Sequence, residues 1–356
     1  MSERARLLHD SPWQGVLHLT GGGTGMLSEL LGEAGASRTL IEARIPYAEG
    51  SLETLLGGRP DQACSAPTAR ALAMAAFQRA LHHGARPAFG FGVTASLATD
   101  RPKRGPCRAH LAVQTLGHTA QTQIALRGER AAQESALVKF AWQTLLGALD
   151  LGSVPQAPID QVAAPLEWQA LISGERRSTS ANEAAKLILP GSFNPLHDGH
   201  ERMMAVAEAR LGQAGVFELS VENPDKPLLD YIEIEKRQSH FDRPLLLTRL
   251  PTFRDKADEF PGATFAVGID TLLRIADPRY YGGAAQRDAA VAAMLDAGVS
   301  FLVFGRLIDG TFQNLSHAIL PEALRGVCTE VSEDEFRADL SSTDLRRRTT
   351  PDPPAA

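Results

Sequence analysis

Cysteine is scarce in this chain of 356 residues: it has three, Cys64, Cys107 and Cys328, far apart and without a CxxC pair. That excludes a disulfide framework and a cysteine zinc site as organising devices, and makes a reducing cytoplasm the expected location. Long apolar runs are also missing. A stretch such as VSFLVF at 299–304 falls far short of the roughly 18–20 residues that a membrane-spanning helix needs, and MSERARLLHDSPW at the N-terminus lacks the apolar core of an export signal. Nor is there an excess of bases: 36 Lys and Arg face 42 Asp and Glu, a net charge of −6. A dedicated nucleic-acid binder would normally carry a strongly basic face, so neither nucleic acid nor membrane is expected as a partner. No internal repeat or low-complexity tract is visible.

What is present is a chain with 44% hydrophobic residues, enough for a large core and, at this length, for two domains. Apolar runs alternate with helix-like stretches from GVLHL to ESALVKFAWQTLLGALD, which predicts an α/β domain over residues 1–150. Residues 151–185, with SVPQAPIDQVAAP and SGERRSTSANEA, read as a linker. From KLILP onward a second series of strands and helices predicts a doubly wound, Rossmann-like parallel sheet over 186–348, and TTPDPPAA at 349–356 reads as a disordered tail.

In the second series the strand KLIL runs into GSFNPLHDGH, Gly191 to His200, and then into a helix. Ligands of open α/β sheets bind beyond the carboxyl ends of strands, where backbone N–H groups and helix N-termini favour anions. Gly191 allows close backbone approach, Asn194-Pro195 shapes the turn, and Gly199 leaves room beside two imidazoles, His197 and His200, that can aim at one point. Such rings can donate hydrogen bonds to phosphate oxygens whose charge grows as a phosphoryl bond breaks. A bare HxxH pair more often shares a helix face by accident; the surrounding residues change that weighting. Gly191 through His200 resemble the G-[ST]-F-[DN]-P-x-H-x-G-H signature of the nucleotidyltransferase superfamily, including Ser192, Phe193 and Asn194.

SSTDLR, Ser341 to Arg346, resembles that superfamily's second signature, although Ser341, Ser342, Thr343 and Asp344 also fit an ordinary helix-capping box. The resemblance implies that Ser341, Ser342 and Thr343 grip the distal phosphates and that Arg346 stabilises the transition state. FAVGID, with Gly268 and Asp270, resembles the adenosine-contacting region of the nicotinate and nicotinamide mononucleotide adenylyltransferases; Asp270 can equally be read as a helix cap. Lys226 of NPDKP and Arg306 after the strand ending at Phe304 are further candidates for the phosphates. Such enzymes usually stack the pyridine ring on a tryptophan, but Trp13, Trp142 and Trp168 all precede this region, so Phe253, Tyr280 and Tyr281 become the candidate stacking surfaces.

The resemblance thus implies adenylyl transfer from ATP to nicotinate or nicotinamide mononucleotide with release of pyrophosphate, with Mg²⁺ bound mainly through the ATP phosphates and no metal held by the protein alone. Alternatives are cytidylyl transfer to a phosphorylated alcohol, and a catalytically silent nucleotide-binding protein. Assembly into a homo-oligomer is compatible with either.

LTGGGTGMLSELLGEAGAS, followed by PYAEGSLETLLG, resembles the C-terminal amidohydrolase domain of the competence-damage-inducible CinA family over roughly residues 15–150. Those enzymes use a serine nucleophile and a lysine, with a tyrosine assisting. Here Gly22 and Leu52 stand in the places of the serine and lysine, and Tyr47 in that of the tyrosine. Without a hydroxyl and an amine covalent catalysis has no nucleophile, so fold without amidohydrolase chemistry is expected. The glycine run itself also reads as a simple flexible turn.

Overall fold

The computed structural model describes residues 2–100, 105–152, 159–179, 185–224, 226–308 and 310–338. The chain forms two compact α/β units, one of Met1–Ser173 with Asp225–Glu235, the other of Gly174–Pro224 with Lys236–Ala356. No helix among the described residues is long and apolar enough to cross a membrane.

The first unit contains α1 (Glu3–His9), β1 (Gln14–Thr20), α2 (Gly25–Gly32), α3 (Ala36–Thr39), β2 (Leu40–Arg44), α4 (Glu49–Leu56), α5 (Ala66–His82) and β3 (Ala88–Ser96). It continues through β4 (Arg108–Thr115), β5 (His118–Ala125), α6 (Arg130–Ala148), β6 (Asp160–Ala163) and α7 (Leu166–Ser173). Its mixed sheet runs β2-β1-β3-β4-β5-β6, with β1 parallel to β2 and β3 and antiparallel pairing from β3 to β6. Gly90 and Gly92 on β3 allow α5 to lie directly on the sheet: a Cβ at either would fall 2.1–2.2 Å from the Ala73 or Ala69 carbonyl oxygen. A large apolar core gathers Leu17, Phe89, Phe91, Leu137 and Trp142.

The segment 151–185 is therefore not simply a linker. Residues 153–158 and 180–184 lie outside the described residues, but β6 adds an edge strand to β5, α7 buries Trp168, and Thr179 is hydrogen-bonded to Leu247 in the second unit. Composition marks Pro- and polar-rich stretches as loops; it does not reveal that a free sheet edge stands ready to pair with four of their residues. The first unit also takes in Asp225–Glu235, from far along the chain, as a strap. The Tyr231 ring is fully buried and stacked on Trp168 at 6.2 Å, and its hydroxyl donates to the Leu116 carbonyl at 2.7 Å. Arg70 on α5 binds Asp230 at 2.9 Å and Glu233 at 3.3 Å, so a buried guanidinium is neutralised by the strap.

The second unit holds β7 (Leu187–Pro190), α8 (Asp198–Leu211), β8 (Val216–Ser220), the C-terminal end of α9 (Tyr231–Gln238), β9 (Leu245–Thr248), α10 (Phe253–Glu259) and β10 (Thr264–Gly268). Then come α11 (Ile269–Ala276), α12 (Ala284–Asp296), β11 (Ser300–Phe304), the hairpin of β12 (Arg306–Ile308) and β13 (Thr311–Gln313), α13 (Glu322–Arg325) and β14 (Cys328–Val331). All pairings in its six-stranded sheet are parallel, in the order β14-β11-β10-β7-β8-β9. Counted along the chain, those strands are arranged 3-2-1-4-5-6, a doubly wound sheet that reverses direction between β7 and β10. The crevice at that switch point is bounded by the loops after β7 and β10, Gly191–His197 and Gly268–Ile269. The expected tail, 349–356, lies outside the described residues.

Candidate functional site

The loop after β7 is held by its own sequence. The Gly191 N–H donates to the Glu218 carbonyl on β8 at 3.0 Å, and a Cβ at 191 would fall 2.6 Å from the Phe193 ring. Phe193, at φ 44°, turns its ring inward, fully buried and edge-on to Phe217 at 5.5 Å, Phe241 at 5.1 Å and His200 at 5.1 Å. This corrects the expectation for Phe193: its side chain anchors the loop in the core and offers no surface to a nucleotide. Ser192 is exposed and Asn194 half-buried.

His197 is the N-cap of α8, with Asp198 and Glu201 in the first turn and Gly212 closing the helix in the left-handed region. The His197 N–H donates to His200 Nδ1 at 3.3 Å, while the His200 N–H donates to the His197 carbonyl at 2.8 Å. The two rings stack with centroids 3.8 Å apart. A Cβ at Gly199 would fall 2.9 Å from His197 Nδ1, so glycine there is what gives that ring its place. Burial, then the neighbouring His197 and Arg306, pushes His200 down to about 3, and burial followed by Arg306 also lowers His197. Both imidazoles are therefore neutral near pH 7. Because His200 Nδ1 accepts, its proton sits on Nε2, which is a donor. His197 Nδ1 is buried with no hydrogen-bond partner among the described atoms.

Across the switch point Gly268 is the N-cap of α11 and Asp270 lies in the first turn. A Cβ at Gly268 would fall 2.6 Å from Asp270 Oδ1, and Asp270 Oδ2 accepts from Arg306 Nη1 at 3.0 Å. His197, His200, Asp270 and Arg306 thus form one polar group: two neutral rings beside a guanidinium already paired with a carboxylate.

No contact among the described residues joins the other expected residues to this group. Lys226 is exposed and belongs to the strap of the first unit. The Pro-flanked segment that carries it runs directly into Asp230 and Tyr231, whose partners in the first unit could not be read from proximity to β8. Phe253 is half-buried and packs edge-on to Phe265 at 5.5 Å and against Phe301 at 5.7 Å, at the margin of the apolar core, so its ring already has aromatic partners there. Tyr280 is exposed and Tyr281 half-buried, on the turn after α11, and burial raises the Tyr281 hydroxyl. Ser341, Ser342, Thr343 and Arg346 lie outside the described residues. One residue escaped the sequence reading: Arg237 Nη1 donates to the Ser192 carbonyl at 2.9 Å, from the end of α9. Nothing local to EKRQ signals that contact.

In the first unit, Leu52 is buried with Leu56 and Leu72, Tyr47 is 66% exposed, and Gly22 offers no side chain. No nucleophile and lysine are assembled at those positions.

No family model matches the chain, and no curated protein matches it. Among solved structures it is similar to CinA-superfamily proteins, over about two-fifths of its length in the N-terminal part. The protein from Klebsiella pneumoniae 700603 is 15% identical and covers 41% of this chain and 93% of its own, at a TM-score of 0.35. That from Enterobacter cloacae is 16% identical, covering 41% of this chain and 90% of its own, at 0.35. The competence/damage-inducible protein CihA from Agrobacterium tumefaciens is 16% identical, covering 42% of this chain and 96% of its own, at 0.32. The likeness is distant.

Proposed function

We propose that the second unit is a nucleotidyltransferase that transfers the adenylyl group of ATP to nicotinate or nicotinamide mononucleotide. The single observation that carries this reading is the position of Gly191–His200 at the switch point of a 3-2-1-4-5-6 parallel sheet, with its two histidines stacked and neutral. A phosphate oxygen of the acceptor attacks the α-phosphorus of ATP; the bond from that phosphorus to the bridging oxygen breaks, and pyrophosphate leaves. No covalent enzyme intermediate is needed. His200 Nε2–H donates to a phosphate oxygen on which charge accumulates, a hydrogen bond that strengthens as that charge grows. Arg306 supplies positive charge, and Asp270 orients it. Ser341, Ser342, Thr343 and Arg346 complete the phosphate grip in this reading, on the strength of the SSTDLR resemblance.

Of the carboxylates near the imidazoles, Asp270 is already paired with Arg306 and Asp198 is exposed in the first turn of α8; this suits a Mg²⁺ that arrives on the triphosphate rather than one held by the protein. Bound there, the ion neutralises charge on the phosphates.

The test is pyrophosphate release by the purified full-length protein. ATP with either mononucleotide is expected to yield pyrophosphate and a dinucleotide. Turnover of CTP with a phosphorylated alcohol instead would establish cytidylyl transfer, and silence with every pair would leave a nucleotide-binding protein.

A further inference from the structure

The first unit contains a glycine loop, TGGGTG, Thr20–Gly25, between β1 and α2. It is no loose turn. Gly21 and Gly23 have φ of 77° and 84°, and a Cβ at Gly21 would fall 1.9 Å from the Ala95 carbonyl oxygen, so the loop lies against β3 in a conformation only glycine adopts freely. Two of its backbone N–H groups converge on one partner. Gly23 donates to Glu134 Oε2 at 2.8 Å and Gly25 to Glu134 Oε1 at 3.1 Å.

Successive backbone donors at the start of a helix make a concavity that suits an anion, and here the anion is a carboxylate from α6. Gly22 and Gly25 also give α6 the space to deliver it. A Cβ at Gly22 would fall 3.0 Å from Glu134 Oε2 and 2.7 Å from Leu97 Cδ1, and one at Gly25 would fall 3.0 Å from Val138 Cγ2. The glycines thus serve the approach of Glu134 as much as the bend of the chain.

We propose that Glu134 is a built-in anion that closes the glycine loop of the first unit, so that an external anion reaches those N–H groups only when this carboxylate is removed. The contact explains how a loop with the look of a phosphate cradle stays shut in a unit that lacks the serine and lysine of an amidohydrolase. It does not depend on the reading of the second unit.

Hydrogen exchange of the full-length protein, followed by mass spectrometry on peptides spanning 18–30, tests this locally. The probe is inorganic phosphate against chloride at matched ionic strength. In the wild type the loop amides should be protected, and phosphate should leave their exchange unchanged. In E134A, and in E134Q as a variant of the same shape, exchange should be roughly tenfold faster or more, the factor that corresponds to losing a hydrogen bond to a charged group, and phosphate should slow it again. Far-UV circular dichroism checks that each variant is folded; E134Q serves alone if E134A is not. Phosphate protection of the loop in the wild type, variants that exchange like the wild type, or fast exchange that phosphate does not slow would each overturn the proposal.

Discussion

His200 is the residue whose chemistry is most constrained by its surroundings. Its Nδ1 is committed to a backbone N–H, its ring is packed between His197 and Phe193, and its proton therefore sits on Nε2. If that hydrogen is what meets the developing charge, His200→Ala should fold but lose about 10²–10³-fold in kcat, the scale of removing one preorganised donor. Steady-state pyrophosphate release, with circular dichroism as the control for folding, reads the outcome; a folded His200→Ala enzyme with near-wild-type turnover would remove His200 from the chemistry. Residues also show how ambiguous an aromatic is by itself. Phe193 and Phe253 both read as parts of a ligand site, yet the Phe193 ring is fully buried, the Phe253 ring half-buried, and each meets other phenylalanines.

At the scale of elements, the strap Asp225–Glu235 carries the clearest consequence. It supplies the first unit with a buried tyrosine and with both carboxylates that neutralise Arg70. A fragment of residues 1–173 would leave the Trp168 face uncovered and a buried guanidinium without its carboxylates, a costly situation for a charge taken out of water. That fragment should be poorly folded by circular dichroism and rapidly digested by protease. In the full chain, Tyr231→Ala should destabilise the first unit by about 3–5 kcal/mol, as removal of a large buried aromatic side chain typically does. Denaturant unfolding measures this, and a loss well under 1 kcal/mol would show the strap to be an ornament. Any search for ammonia release from nicotinamide mononucleotide by the first unit must for the same reason use the whole protein.

At the scale of the whole molecule, neutral buried histidines make stability depend on pH. Burial, partly offset by the hydrogen bond from its Nδ1 to the Leu72 carbonyl, takes His18 down to about 4, and burial takes His200 to about 3, from an ordinary 6.5. The unfolded chain binds these protons below pH 6.5 whereas the folded one does not. Their contribution to stability is thus full above pH 6.5 and is lost as pH falls towards 4 and 3. Calorimetry from pH 8 to 5 should show melting that varies little from these groups above pH 6.5 and declines below it. His18→Asn, which keeps a donor for Leu72, should flatten part of that decline in the first unit; an unchanged slope would mean that His18 is not the neutral, buried group described.

Whatever is settled within a few residues could be read along the chain: the strand–helix alternation of two α/β sheets, the turn at Gly191, the small residue needed at Gly199, and the absence of hydroxyl and amine at Gly22 and Leu52. Period, dihedral freedom and capping are local properties, so they are legible locally. What meets across long separations became visible in the folded chain. Arg306 pairs with Asp270, Glu134 fills the loop at Gly23 and Gly25, Arg70 is neutralised from residue 230 onward, and Lys226 travels with the first unit. Each of those outcomes depends on a charge or ring finding a partner when the sheets assemble, and no spacing in the chain encodes which partner that will be.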